Sequence, residues 1–203
     1  MKRSLFGLAA ACVIVVSLAF SVASSDAAPG PSETKGPSAV KRGAFLVKTG
    51  GCNDCHTPWK MGKNGLPEPD MTRMLSGHPE GMKLPPPPQA AGPWIWFGAA
   101  TNTAYAGPWG ISYAPNLTPD PNTGLGSAWT EEIFVKAIKT GKHFGTSRLI
   151  MPPMPWEAYS NYSDADLKAM YAYLKTIPPI VNHVPDSVEA PPPAPPGASP
   201  KKK

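Results

Sequence analysis

Cysteine and histidine are both scarce in this chain. Of three cysteines in 203 residues, Cys12 falls in the N-terminal apolar run, which leaves Cys52 and Cys55 for the rest. Two cysteines with two residues between them cannot build a disulfide framework, which takes several pairs. Apart from His56, the histidines (His78, His143, His183) stand singly, so no second ligand pair is available for a structural zinc site. There is no internal repeat. The formal net charge of +5 owes much to the chain ends, where Lys2 and Arg3 open the sequence and Lys201, Lys202 and Lys203 close it beside Asp186 and Glu189. A body this mildly basic is poor evidence for a nucleic-acid partner, and none is expected.

Long apolar runs are also lacking, with one exception. Lys2 and Arg3 precede a charge-free, mostly apolar stretch from Leu5 to Val22 that ends in small residues, the pattern of a secretory signal with cleavage after Ala23 or Ala27. Residues 1–27 are therefore set apart from the fold, which implies export. Left uncleaved, the run sits near the lower limit of about 17 residues for a membrane span, and only then is a membrane partner expected.

What the chain has in abundance is proline, 28 residues of it. A Pro/Ser-rich leader (28–37) and a Pro-rich, Lys-ended tail (185–203) read as extended, disordered segments around one domain of about 145 residues, 38–184. Inside that domain three helices are predicted. In AVKRGAFLVKT, Val40, Ala44, Leu46 and Val47 recur at helical spacing before Gly50 and Gly51 stop the run. In WTEEIFVKAIKTGKH, Thr130 caps, Glu131 and Glu132 suit the positive end of the dipole, Ile133, Phe134, Ala137 and Ile138 form the stripe, and Gly141 ends it. In YSDADLKAMYAYLKTIPP, Ser163 caps, Leu167, Met170, Tyr171 and Leu174 share a face, and Pro178 terminates. Between them, Thr57 to Ala128 has almost no helical period. It reads as an ordered Pro/Gly-rich excursion, most irregular over 59–107, with a short hairpin in TAYAGPWGISYAPNLT; Trp94, Trp96, Trp109 and Trp129 argue against disorder.

The chemistry concentrates in GGCNDCHTPW. A CxxCH turn could hold a metal, a reactive disulfide or a covalent porphyrin. A thioredoxin-type CxxC follows a strand and opens a long helix, whereas here a helix precedes and a Pro-rich loop follows. Covalent haem needs two thiols for one porphyrin edge and an imidazole beneath the iron from the same turn, which places thioether bonds at Cys52 and Cys55 and the proximal ligand at His56. For the sixth position the candidate is IMPPMPWEAY, where prolines fix φ around a soft thioether: Met154 first, then Met151, then His143, His78 or an open site. Arg148 and Asn116 are each read as either a haem-propionate contact or a surface and turn residue.

Helix, CxxCH, Pro-flanked Met and C-terminal helix in that order resemble a class I c-type cytochrome. NLTPDPNTGLGSAWTEEIFVKAIKTGKH, MPPMPWEAY and SDADLKAMYAYLKTIPP are similar to the mono-haem cytochrome domains and subunits of periplasmic, alcohol-type dehydrogenases. The resemblance covers about Val40 to Pro179, loosely over 59–107. It implies a mainly α fold of three or more helices around one haem c, with the methionine before Pro-aromatic, here Met154, as ligand. It also implies a close crossing of the N- and C-terminal helices at Gly43 or Ala44 and Tyr173. One attachment site and a Pro-Lys tail set the chain apart from tri-haem subunits with membrane tails. The function expected is periplasmic electron transfer in a bacterium, the chain itself being no enzyme. It would act alone or docked on a dehydrogenase or oxidase; its partners would be a periplasmic dehydrogenase, other cytochromes or a terminal oxidase. A haem enzyme or sensor with an open sixth site is the third class.

Overall fold

The computed structural model describes residues 37–88 and 93–190; the expected signal, most of the leader and residues 191–203 lie outside them. The described chain holds five helices: α1 (Pro37–Thr49), α2 (Cys52–His56), α3 (Glu131–Thr140), α4 (Trp156–Tyr159) and α5 (Asp164–Leu174). Six short strands complete it. β1 (Trp59–Met61) pairs with β2 (Pro67–Pro69), while β3 (Phe97–Gly98), β4 (Ala104–Gly107), β5 (Gly110–Tyr113) and β6 (Val188–Glu189) form one antiparallel sheet in that order.

The first and last long helices pack directly on each other, and Gly43 is what lets them. An ideal Cβ at Gly43 would lie 1.9 Å from the Ala169 carbonyl oxygen and 2.9 Å from the Tyr173 Cβ, so only a residue without a side chain fits. That contact rotates α1. Its buried face is Ala39, Gly43, Leu46 and Val47, with Val40 and Ala44 moved to the half-buried flank. Leu46 and Val47 then meet Leu167, Met170 and Leu174 of α5, Phe134 and Val135 of α3, and Leu75, Leu125 and Ile177 from the connections, a single apolar cluster. Each such side chain, fully buried, contributes about 1.5–3 kcal/mol. The Arg42 Nε to Asp166 ion pair at 2.8 Å closes the crossing at its rim.

The helix signals behave as their chemistry requires. Thr130 and Ser163 accept from the amides of Ile133 and Asp166, and Gly141 ends α3 at φ +64°. Two details differ from expectation. In α3 the stripe is Phe134, Val135 and Ala137, with Ile133 and Ile138 half-buried. α5 stops at Leu174, four residues before Pro178, where the Thr176 amide takes the Tyr173 carbonyl three residues back, at 2.8 Å, instead of the carbonyl four back.

The irregular stretch is ordered by pairing that runs far along the chain. β4 and β5 are the expected hairpin, with Tyr105 opposite Ser112. β6 was not expected: Val188 and Glu189, inside the segment read as a disordered tail from 185, pair with Ile111 and Gly110. The Ala190 amide also bonds the Trp109 carbonyl, at 2.9 Å, so the ordered chain continues past 184 to Ala190. No helix among the described residues is long and apolar enough to cross a membrane.

Candidate functional site

α1 runs straight into the CxxCH turn. Gly51, at φ +72°, redirects the chain from α1 into α2. On the preceding residue, the Gly50 carbonyl accepts the Tyr159 hydroxyl from α4. α2 is one turn of helix, and it places Cys52, Cys55 and His56 on a single short rigid element.

His56 is 5% exposed, and its Nδ1 lies 2.9 Å from the Pro115 carbonyl oxygen. A carbonyl cannot donate, so the proton sits on Nδ1 and Nε2 keeps its lone pair. Burial lowers the pKa of His56 and keeps the ring neutral, the form that ligates a metal. The chain that carries the ring is held as well: the Gly77 amide donates to the His56 backbone carbonyl at 2.8 Å, and the Thr57 hydroxyl receives the Leu75 amide at 2.9 Å.

Cys52 and Cys55 are free thiols, both half-buried. Burial pushes the Cys52 thiol up to about 12, far from the activated thiolate of a redox or nucleophilic cysteine. Tyr105 on β4 stands beside Cys55, its hydroxyl donating to the Asn102 carbonyl at 2.7 Å, and Asn102 in turn donates to the Asp54 carbonyl at 2.7 Å.

Met154 lies in the loop between α3 and α4. The Ile150 amide bonds the Gly141 carbonyl at 2.8 Å, and the Trp156 indole covers Gly141 so closely that a Cβ there would sit 2.3 Å from the ring. Ser112 of β5 donates to the Pro152 carbonyl at 2.6 Å. Met154 and Met151 are each half-buried, and neither belongs to the apolar core cluster. Met71 and Met82 are exposed, and Met74 packs against that core.

The remaining candidates are committed elsewhere. His78 is fully buried; its Nδ1 meets the Thr103 hydroxyl at 2.9 Å and its Nε2 the Met82 carbonyl at 3.4 Å, so neither nitrogen is spare. His143 packs edge-on against Trp129 and Phe144. Arg148 is exposed. Asn116 is a turn residue: Oδ1 takes the Thr118 amide and hydroxyl, and Nδ2 donates to Thr123 and to the Ile180 carbonyl, which leaves nothing for a propionate.

Sequence reasoning marked Trp59 as docking a partner or covering a haem, but it did not foresee the unpaired state of three groups. Trp59 Nε1, Ser76 Oγ and Trp109 Nε1 are buried and have no hydrogen-bond partner among the described residues. Buried polar groups left unpaired cost about 1–3 kcal/mol each. Trp59 follows His56 by three residues, and Ser76 precedes Gly77, which bonds the His56 carbonyl. A porphyrin fits this donor set: two free thiols, one imidazole with a spare Nε2, and a thioether outside the core. No signal in the sequence marks these three as unpaired, since pairing depends on the fold.

No family model matches the chain. A nicotinate dehydrogenase subunit of Pseudomonas putida is 37% identical over 78 residues, 38% of this chain and 6% of that protein. The gluconate 2-dehydrogenase cytochrome c subunit of Pantoea cypripedii is 31% identical over 134 residues, 66% of this chain and 22% of that one. The fructose dehydrogenase cytochrome subunit of Gluconobacter japonicus is 29% identical over 148 residues, 73% of this chain and 23% of that one. The chain thus spans less than a quarter of the length of these relatives. Across most of the described domain, its homologues are cytochrome c subunits of dehydrogenases.

Proposed function

We propose that this chain is an exported, periplasmic electron carrier that holds one haem c through thioether bonds to Cys52 and Cys55. His56 and Met154 would hold its iron, and a dehydrogenase would be its redox partner. The observation that carries the reading is the buried His56 ring, with Nδ1–H tied to Pro115 and Nε2 left as an acceptor, directly after two unpaired thiols. A class I cytochrome c fold is supported by the crossing of α1 and α5 at Gly43. When bound, the haem supplies reversible one-electron ferric/ferrous chemistry.

The protein's part is positioning and exclusion. The Pro115 carbonyl fixes the imidazole tautomer and raises its basicity, as an outer partner does for a ligating histidine. A methionine thioether, soft and polarizable, favours the reduced state. Trp59, three residues after His56, offers its unpaired indole N–H to an anionic edge. No side chain is needed as nucleophile or general base, and the chain is a carrier rather than a catalytic subunit. The dehydrogenase partner rests on the relatives, whose names are those of dehydrogenase subunits.

Intact-mass analysis of the mature protein exported from a host with haem-attachment machinery tests the reading. The expected mass is that of the polypeptide after signal removal plus one haem, retained under denaturation, and lost in Cys52→Ser with Cys55→Ser. Bare polypeptide from such a host overturns it.

A further inference from the structure

We propose that Ser112 is the positioning residue for the Met154 thioether, and that the segment Ser112–Pro115, the end of β5 and its extension, ties together the two residues that would hold the iron. The inference rests on the reading of Met154 as a ligand given above.

The loop Met151–Pro155 cannot hold itself. Three of its five residues are proline and carry no amide proton, so its carbonyls are its main means of attachment. The Met154 carbonyl is taken locally by the Trp156 amide at 2.9 Å, and the Pro155 carbonyl by the amides of Ala158 and Tyr159. Only the Pro152 carbonyl is bonded from outside the loop and α4 among the described residues, and its donor is Ser112 at 2.6 Å. The Ser112 hydroxyl has one proton. A second acceptor, the Tyr105 carbonyl, lies at 3.4 Å, too far to compete.

Ser112 is well placed to act as an anchor. It is 6% exposed and sits opposite Tyr105 in β5, the strand flanked by β4 on one side and β6 on the other. Three residues on, Pro115 accepts His56 Nδ1–H. Between them, Ala114 is pinned through both backbone groups, its amide to the Thr103 carbonyl at 2.8 Å and its carbonyl to the His78 amide at 2.9 Å. One paired strand and its extension therefore reach the carbonyl two residues before Met154 and the ring of His56. Losing the Ser112 hydroxyl frees the thioether side and leaves the Pro115 bond to His56 intact.

The test titrates the ferric holoprotein with imidazole, a probe that displaces a weakly held thioether. It follows the sulfur-to-iron charge-transfer band at a temperature where every variant is folded, alongside the reduction potential. Ser112→Ala is expected to lose the band at an imidazole concentration about 3- to 10-fold lower than the parent, as befits one hydrogen bond, and to have a lower potential. Ser112→Thr, which keeps the hydroxyl, restores the parent's response. Should Ser112→Ala fail to accumulate, Ser112→Cys, a much weaker donor, is read in the same way. If Met154→Ala abolishes the band while Ser112→Ala titrates like the parent, this proposal falls and the ligand reading stands. If Met154→Ala keeps the band, both fall. A lower thermal midpoint in Ser112→Ala with unchanged imidazole affinity and potential marks a structural hydroxyl only and also overturns the proposal.

Discussion

Gly43→Ala probes the contact on which the domain closes. The added Cβ would stand 1.9 Å from the Ala169 carbonyl oxygen, and ordinary contact begins near 3.4 Å, so α1 must withdraw by about 1.5 Å (3.4 − 1.9). The obstacle is backbone, which cannot swing aside as a flexible side chain would. Helix propensity acts in the opposite sense, since Ala is favoured over Gly by about 1 kcal/mol in a helix interior. Overpacking a tight interface costs about 1–3 kcal/mol and sometimes more. A backbone clash belongs at the upper end, because the withdrawal also loosens Leu46 and Val47 against α5. The net expectation is a loss of about 2 kcal/mol, or roughly 4–8 °C in thermal midpoint for a domain of this size. Far-UV circular dichroism of the purified protein measures it, with Ala44→Gly as the comparison. Ala44 is half-buried, so its variant loses little beyond propensity, about 1 kcal/mol. A Gly43→Ala midpoint at or above the parent's would refute the crossing, and a larger penalty for Ala44→Gly would show that the opposite face of α1 is buried.

Three further expectations follow from single contacts. Met154→Ala is expected to lower the reduction potential and open the iron to small ligands, read by redox titration and by carbon monoxide binding to the reduced protein; an unchanged potential and spectrum would move the assignment to Met151. Hydrogen bonding to Arg42 holds the Asp166 carboxyl below its ordinary value, so its stabilisation is present above the unfolded carboxylate pKa of about 3.9 and disappears as pH falls through the lower folded value. Asp166→Asn should cost under about 1 kcal/mol at pH 7 and nothing at strongly acidic pH; equal urea-midpoint differences at both would contradict this. Ser163→Ala removes the side-chain cap of α5 at Asp166 and should cost about 1 kcal/mol, seen as a lower urea midpoint with an unchanged slope.

The parts of the fold that were legible in the sequence are those decided locally. Thr130, Gly141 and Ser163 act within one turn of their own helix, so type and position suffice. The sense in which α1 rotates was not legible from periodicity, because Gly43 counts as neither apolar nor polar there; the close crossing itself entered only through the family resemblance. β6 was hidden for a different reason: two residues amid prolines carry no alternation, and their partners, Gly110 and Ile111, lie far back in the chain. The site divides along the same line. Covalent attachment demands a fixed local spacing, which CNDCH displays, and a Pro-bracketed methionine is conspicuous. The Pro115 carbonyl that orients His56 is a backbone atom 59 residues away, and no residue type advertises it. Asn116, by contrast, was visible and ambiguous, and its four internal hydrogen bonds decide in favour of the turn.

The meeting of α1 with α5 bears on the order of events during biogenesis. Gly43 and Ala169 are separated by 126 positions (169 − 43), and a chain is made from its N-terminus onward. The first helix and the two thiols behind it are thus synthesised well before their packing partner exists. For that interval Leu46 and Val47 have no fifth helix to bury against.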